Sequence, residues 1–232
     1  MKFNILTLFP EMVENYFQYS ILKRAVDSKV IEISTVNPRD YTENKHKKVD
    51  DIPYGGGAGM VLMPQPYVDA YSSVKKLENS ITVMLSPQGE PLTDSMVNEL
   101  SHYDQMILLC GHYEGFDERI REIIKPKEVS IGDFVLTGGE LPALCLIDAV
   151  SRKIEGTLGK IESADEDSFS NGLLEYPQYT RPRDFRGYKV PEVLLNGNHK
   201  EINNFRLTQS LERTKQKRPD LYQKYVESQI KS

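Results

Sequence analysis

The sequence predicts an α/β body built on a mainly parallel sheet, followed by a small all-helical C-terminal domain. Three observations carry this reading. Short apolar segments alternate with stretches of 3.6-residue periodicity from Lys2 to Lys153, the order expected of βαβ units. The segment Gln105–Cys110 (QMILLC) is an almost unbroken apolar run, as in a strand covered on both faces. Beyond Pro177 the pattern turns helical and the charge changes sign. Residues 1–175 hold 17 Lys+Arg against 28 Asp+Glu, a balance of −11, whereas residues 176–232 hold 12 against 6, a balance of +6.

Each element has its own signal. Lys2–Leu8 reads as a strand stopped by Phe9-Pro10. From Glu11 to about Val26, Met12, Val13, Tyr16, Phe17, Ile21, Leu22 and Ala25 recur as on one face of a single helix. Ile31–Val36 alternates as a second strand, ended by Asn37-Pro38. Arg39–Met63 shows almost no periodic apolar signal, only the charged run NKHKKVDD and then PYGGGAGM; a stretch of that length points to function or disorder. A helix over Gln65–Leu77 and a strand over Ile81–Leu85 follow, the strand running into Ser86-Pro87-Gln88-Gly89. Thr93 caps a helix to about Leu100, Asp117–Ile124 is a short helix, and Val129–Ile131 a strand. A long helix runs from Glu140 towards Gly156, and the acidic ESADEDSFSNG after it reads as a linker. PEVLLNG is a short helix closed by Gly197, Lys200–Lys217 a longer one, and Pro219 starts the last. The expected domains are residues 1–160, a linker 161–175, and a basic module 176–232.

Composition excludes several classes. The 232 residues suffice for one ordinary domain and a smaller one, with roughly 70% of the unfolded surface buried. No apolar run approaches the roughly 20 residues that cross a bilayer, and MKFNILTLFPEM lacks a leader's apolar stretch and cleavage site, so a cytoplasmic location is expected. The net charge of −5 argues against a general nucleic-acid coat. The basic quarter suits a polyanion docking on one part of the molecule, and also suits a merely solvated helical face. Cys110 and Cys145 lie in apolar segments and are expected to be reduced core residues; with four scattered histidines they provide no zinc spacing, so no tight metal site is expected.

The stretch Ser130–Leu144 (SIGDFVLTGGELPAL) is the most informative. It reads as a strand end, a glycine-containing turn and a helix with Pro142 in its first turn, where proline is tolerated. The free amides of that helix start, next to Gly138 and Gly139, offer a small-molecule or anion site; a plain connecting loop is equally compatible. Three strand-end loops (86–89, 111–115, 132–139) carry glycine or proline, where open α/β sheets bind ligands. GGGAG at 55–59 lacks G-x-G-x-x-G spacing and a following Lys-Ser/Thr, which disfavours a dinucleotide or triphosphate site.

In order, FPEM at 9–12, YGGGAGMV at 54–61, SPQGEP at 86–91, CGHYEGFDERI at 110–120, SIGDFVLTGGELPA at 130–143, DSFSNGLLEYPQYTRP at 167–182 and LLNGNHKEI at 194–202 closely resemble the bacterial tRNA (guanine-N1)-methyltransferases, TrmD-type enzymes of the SPOUT class. The likeness runs to about Tyr222. It implies a trefoil knot in the C-terminal part of the parallel-sheet domain and a homodimer with active sites at the subunit interface. It implies S-adenosylmethionine as co-substrate, held by Pro87, Gly111, Tyr113, Gly115, Ile131, Gly132, Asp133, Phe134, Val135, Leu136, Gly138, Gly139 and Pro142. The implied reaction is methyl transfer to N1 of the guanosine just 3′ of the anticodon. Asp167 would be the general base, Arg152 would stabilise charge on the guanine O6, and Glu114 would lie near the base. Taken alone, Asp167 is an acidic linker residue and Arg152 a cation at a helix C-terminus. Tyr54, Gly57, Gly59, Ser168, Arg181, Arg183, Lys200 and Arg206 would contact tRNA, helped by Arg186 and Lys189. Mg2+ is expected to assist without a full protein cage. DNA and membranes are not expected partners. The alternatives are a catalytically silent tRNA-binding relative, or a SPOUT methyltransferase acting on another RNA. Three positions differ from many members: His112 in place of arginine, Glu155-Gly156 in place of proline-glycine, and Phe134 in place of tyrosine.

Overall fold

In the computed structural model of the chain, which describes residues 1–158 and 167–231, the apolar run around residue 107 lies at the centre of a parallel sheet. The strands are β1 (Lys2–Leu6), β2 (Glu32–Val36), β5 (Ser80–Pro91), β6 (Gln105–Leu109) and β7 (Lys127–Ser130), in the order β2-β1-β6-β5-β7. Every pairing among them is parallel. Residues of β6 alternate between two cores, because side chains of a strand point to opposite faces. Met106 and Leu108 join Phe3, Ile5, Val83, Leu100, Ile147 and Val150 on one face; Ile107 and Leu109 join Leu6, Met84, Tyr67, Ala70 and Ile120 on the other. Helices α1 (Pro10–Tyr16), α2 (Ser20–Asp27), α4 (Asp94–Leu100) and α6 (Glu140–Lys153) cover the first face, and α3 (Pro64–Ser73) and α5 (Glu118–Ile124) the second.

Several local readings change. The expected helix over residues 11–26 is two helices: the chain breaks at Phe17–Tyr19, and Ser20 takes a left-handed φ of 57°. Val13 and Phe17 still join Leu22 and Ala25 in one core, which is why the periodicity concealed the break. Arg39–Met63 is structured: a 3-10 turn spans Pro38–Asp40, and β3 (Asp50–Asp51) and β4 (Val61–Leu62) form an antiparallel ribbon, with Val49 and Leu62 fully buried. Strand β5 continues to Pro91 through a register shift, since Val129 of β7 faces both Leu85 and Glu90, with residues 86–89 between. Cys145 is exposed rather than in the core, because it falls on the outer face of α6 between the buried Leu144 and Leu146; Cys110 is buried as expected.

The chain divides into two compact units, Met1–Gly159 and Lys160–Ser232. Most of the expected linker's first half, residues 161–166, lies outside the described residues. The second unit is not all-helical. Strands β8 (Asp184–Phe185) and β9 (Tyr188–Lys189) form a ribbon turned by Arg186 and Gly187, both at positive φ, with Gly187 N–H donating to Asp184 Oδ1 at 2.9 Å. Strands of two residues carry no periodic signal. PEVLLNG forms a 3-10 turn over Glu192–Leu194. Helix α7 (His199–Lys217) is capped by Asn198, and α8 (Pro219–Lys231) follows; Thr214 of α7, fully buried, accepts a hydrogen bond from Leu174 N at 2.8 Å.

Candidate active site

The sheet brings the loops after β1, β6 and β7 and the unpaired stretch 86–89 of β5 to one edge, because all four strands run the same way. There a cavity of about 290 Å³ opens, lined by Pro87 and Gln88 in the irregular stretch of β5, Gly111–Phe116 after β6, Ile131, Gly132 and Phe134–Gly139 after β7, and Pro142 in α6. Twelve of the thirteen expected cofactor positions line it; Asp133 does not. Phe134, Val135 and Leu136 are apolar yet exposed, and so can cover a flat ring. Tyr113 holds a left-handed φ of 58°, a conformation that costs energy in a non-glycine residue, directly on the cavity wall.

Glycine makes the wall possible. A Cβ on Gly139 would lie 2.8 Å from both Cys110 Cα and Gly111 N, and Gly139 N–H donates to Gly111 O at 2.8 Å. A Cβ on Gly138 would lie 2.7 Å from Glu140 Oε2. The start of α6 therefore packs backbone against backbone on the loop after β6, as the glycine pair suggests.

Behind that wall lies a group whose role the sequence does not disclose. The Glu140 carboxylate, 1% exposed, accepts from Thr7 Oγ1 at 2.6 Å and stands 2.7 Å from His112 Nε2. When Glu140 is ionised its oxygens only accept, and His112 then donates from Nε2. The helix start carries its own carboxylate, which disfavours an anionic ligand group at that spot and corrects the anion-site reading. In sequence Glu140 looks like an ordinary first-turn acid, and Thr7 looks like part of a strand end. Burial, with a smaller contribution from Glu140, pushes the Cys110 thiol well above its ordinary range, so this cysteine beside the cavity is no nucleophile.

Of the three expected catalytic residues, Glu114 lines the cavity. Arg152 lies in the last turn of α6, some twelve residues from the cavity end of that helix, or about 18 Å at 1.5 Å per residue. Asp167 belongs to the second unit, where its backbone oxygen accepts from Ser170 Oγ at 2.7 Å and it lines a separate cavity of about 240 Å³ with Tyr176, Asn203 and Arg206.

The expected RNA contacts fall in both units. Gly59 is pressed against the Glu114 side chain, and Glu114 N–H donates to Met60 O at 3.0 Å, so the glycine-rich loop is tied to the cavity's rim; Tyr54 is fully exposed. Gly57, like Gly55, Gly56 and Gly59, has positive φ. In the second unit Arg181, Arg183 and Lys200 are exposed, Ser168 Oγ accepts from Glu175 N at 3.0 Å, and the Arg206 guanidinium lies 4.6 Å from the Tyr176 ring centre. Among the described residues no group of three or more His, Cys, Asp or Glu is placed to hold a metal, and no helix is long and apolar enough to cross a membrane.

The family described as tRNA (Guanine-1)-methyltransferase TrmD matches residues 1–224. Proteins named tRNA (guanine-N(1)-)-methyltransferase are similar over nearly the full length. That of Clostridioides difficile strain 630 is 54% identical across 97% of this chain and 98% of its own. That of Ruminiclostridium cellulolyticum is 56% identical across 97% of both chains. That of Oceanobacillus iheyensis is 56% identical across 97% of this chain and 92% of its own.

Proposed function

The chain belongs to the tRNA (guanine-1)-methyltransferase TrmD family, and from that premise we propose that it transfers a methyl group from S-adenosylmethionine to N1 of the guanosine 3′-adjacent to the tRNA anticodon. The observation that carries this reading is the strand-end cavity of a chain more than half identical to enzymes of that name, with twelve of thirteen expected donor-binding positions on its wall. S-adenosylmethionine fits the wall's chemistry: glycine backbone for polar edges, Phe134, Val135 and Leu136 for the adenine faces, and no lysine or arginine apart from Arg121, which is occupied by Glu118 and Glu128. When bound, it supplies the methyl group as a sulfonium.

Neutral guanine carries a proton on N1, which must leave as the N1–methyl bond forms. Asp167 takes that proton, and Arg152 donates to O6 as negative charge develops there. Arg152 stands about 18 Å from the cavity end of its own helix. That separation supports a homodimer in which a second copy completes each site. The exposed apolar side chains Phe9, Met12 and Leu141, on and before α1 and on α6, support the same assembly. The trefoil knot is supported by two close backbone approaches, Gly89 against Glu128 and Val129 and Gly139 against Cys110 and Gly111. Residues 1–160 form the catalytic domain, and the basic residues beyond 176 grip the RNA backbone where tRNA resides, in the cytoplasm. Only one carboxylate, Glu114, lines the cavity among the described residues, which does not make a magnesium site.

The test is mass spectrometry of methyl transfer to a tRNA transcript with guanosine at the target position, run beside ribosomal RNA and with the methylated atom mapped. Asp167→Asn should lose nearly all turnover while binding S-adenosylmethionine normally. Full turnover in that variant rejects Asp167 as the base. Methylation of ribosomal RNA alone rejects the substrate, and binding of tRNA without methylation leaves a silent relative.

A further inference from the structure

We propose that Glu140 is a positioning residue for methyl-donor binding: bonded at once to Thr7 and His112, it holds three strand-end segments in register and so sets the affinity for S-adenosylmethionine. This rests on the reading of the cavity as the donor site. Thr7 follows β1, His112 follows β6, and Glu140 opens α6, so one carboxylate joins segments far apart in the chain. Two features show a built network. Glu140 is 1% exposed, and both its oxygens are engaged, at 2.6 Å and 2.7 Å. Thr7 Oγ1 also accepts from Phe9 N at 2.9 Å, and the Phe9 ring stands edge-on to the His112 ring at 4.9 Å, which fixes the partners in turn.

A buried carboxylate is costly unless its oxygens are bonded, and charge-assisted bonds are short and directional. A packing role alone would be met by an apolar side chain. The network lies against the cavity: His112, Gly138 and Gly139 line it, and Gly138 lacks a side chain where one would strike Glu140 and His112. When one bond is lost, the loop after β6 can shift relative to the 138–139 backbone, and the two walls of the cradle no longer match one ligand. Cys110, Tyr113 and Tyr67 are the other titratable groups nearby, and none of them bonds to Glu140.

Calorimetric titration of the full-length chain with S-adenosylmethionine tests the role. Glu140→Gln keeps the shape and removes the negative charge, so the bond to His112 loses its charge assistance. His112→Phe keeps a ring against Phe9 and removes the donor, and Thr7→Val removes the hydroxyl at nearly constant shape. Each should raise the Kd about tenfold, and the KM for the donor likewise, with kcat at saturating donor changed less than about threefold. Glu140→Gln combined with His112→Phe should also cost about tenfold, because both act on the same charge-assisted contact. Thr7→Ser should restore tight binding. A merely structural role would lower the melting temperature without separating KM from kcat. Unchanged Kd in folded variants overturns the inference, as does a hundredfold, additive loss in the double variant. If Glu140→Gln does not fold, the Thr7 variants decide. Absence of binding by the unaltered chain would overturn the donor-site reading together with this inference.

Discussion

At Gly139 the requirement for glycine comes from the neighbouring backbone, not from its own dihedral angles, since φ is −84°. A Cβ there would lie 2.8 Å from Cys110 Cα and Gly111 N, atoms that cannot swing aside. Gly139→Ala is therefore expected to destabilise the fold by about 1–3 kcal/mol, as overpacking does, and to weaken donor binding as well. Urea unfolding measures the first and calorimetry the second; an unchanged unfolding midpoint would show that the close approach is not needed. The glycine pair was legible in the sequence as a place of close approach. Which atoms approach was not, because Cys110 and Gly139 meet only after the sheet has formed.

Among the elements, the junction of α7 and α8 is fixed by an exposed ion pair. Arg218 donates from Nε at 2.9 Å and from Nη2 at 2.6 Å to the two oxygens of Asp220. Chiefly through that hydrogen bonding, the Asp220 carboxyl titrates at about 2 instead of 3.8. Its folded value lies below its unfolded one. The pair's stabilisation is thus complete above about pH 4 and is lost as the pH falls towards 2, by a small amount because both groups face water. Carboxyl NMR titration should place Asp220 near 2 in the native chain and near its ordinary value in Arg218→Ala. An unshifted midpoint in the variant would assign the effect to the helix start instead. Other elements show where pattern reading fails. The α1–α2 break and the β5 register shift were invisible because apolar spacing persists through both, and β8–β9 was invisible because two-residue strands have no period.

For the molecule as a whole, the separation of charge is the feature with a measurable consequence. The basic C-terminal residues expose Arg181, Arg183, Arg186, Lys189 and Lys200 to solvent. If these neutralise phosphates, tRNA affinity falls with salt by about 0.7–0.9 decades per contact per decade of salt. Arg183→Ala should lower the magnitude of that slope by about 1, while methyl-donor affinity stays unchanged. Filter binding across a salt series reads this directly, and an unaltered slope would remove Arg183 from the RNA-contacting surface.

The sequence by itself determined the α/β class, the burial of the strand Gln105–Leu109, the capped start of α4 at Thr93 and the family, since each is written in local patterns or ordered motifs. Thr93 accepts from Met96 N at 3.3 Å, as a capping threonine should. Only the tertiary structure decided that Thr7, His112 and Glu140 share one buried network, that Asp133 does not line a cavity its neighbours line, and that Arg152 lies at the opposite end of α6 from that cavity. Those relations depend on strand order and on which way each side chain points once the sheet is assembled. A linear pattern with one period per segment carries neither.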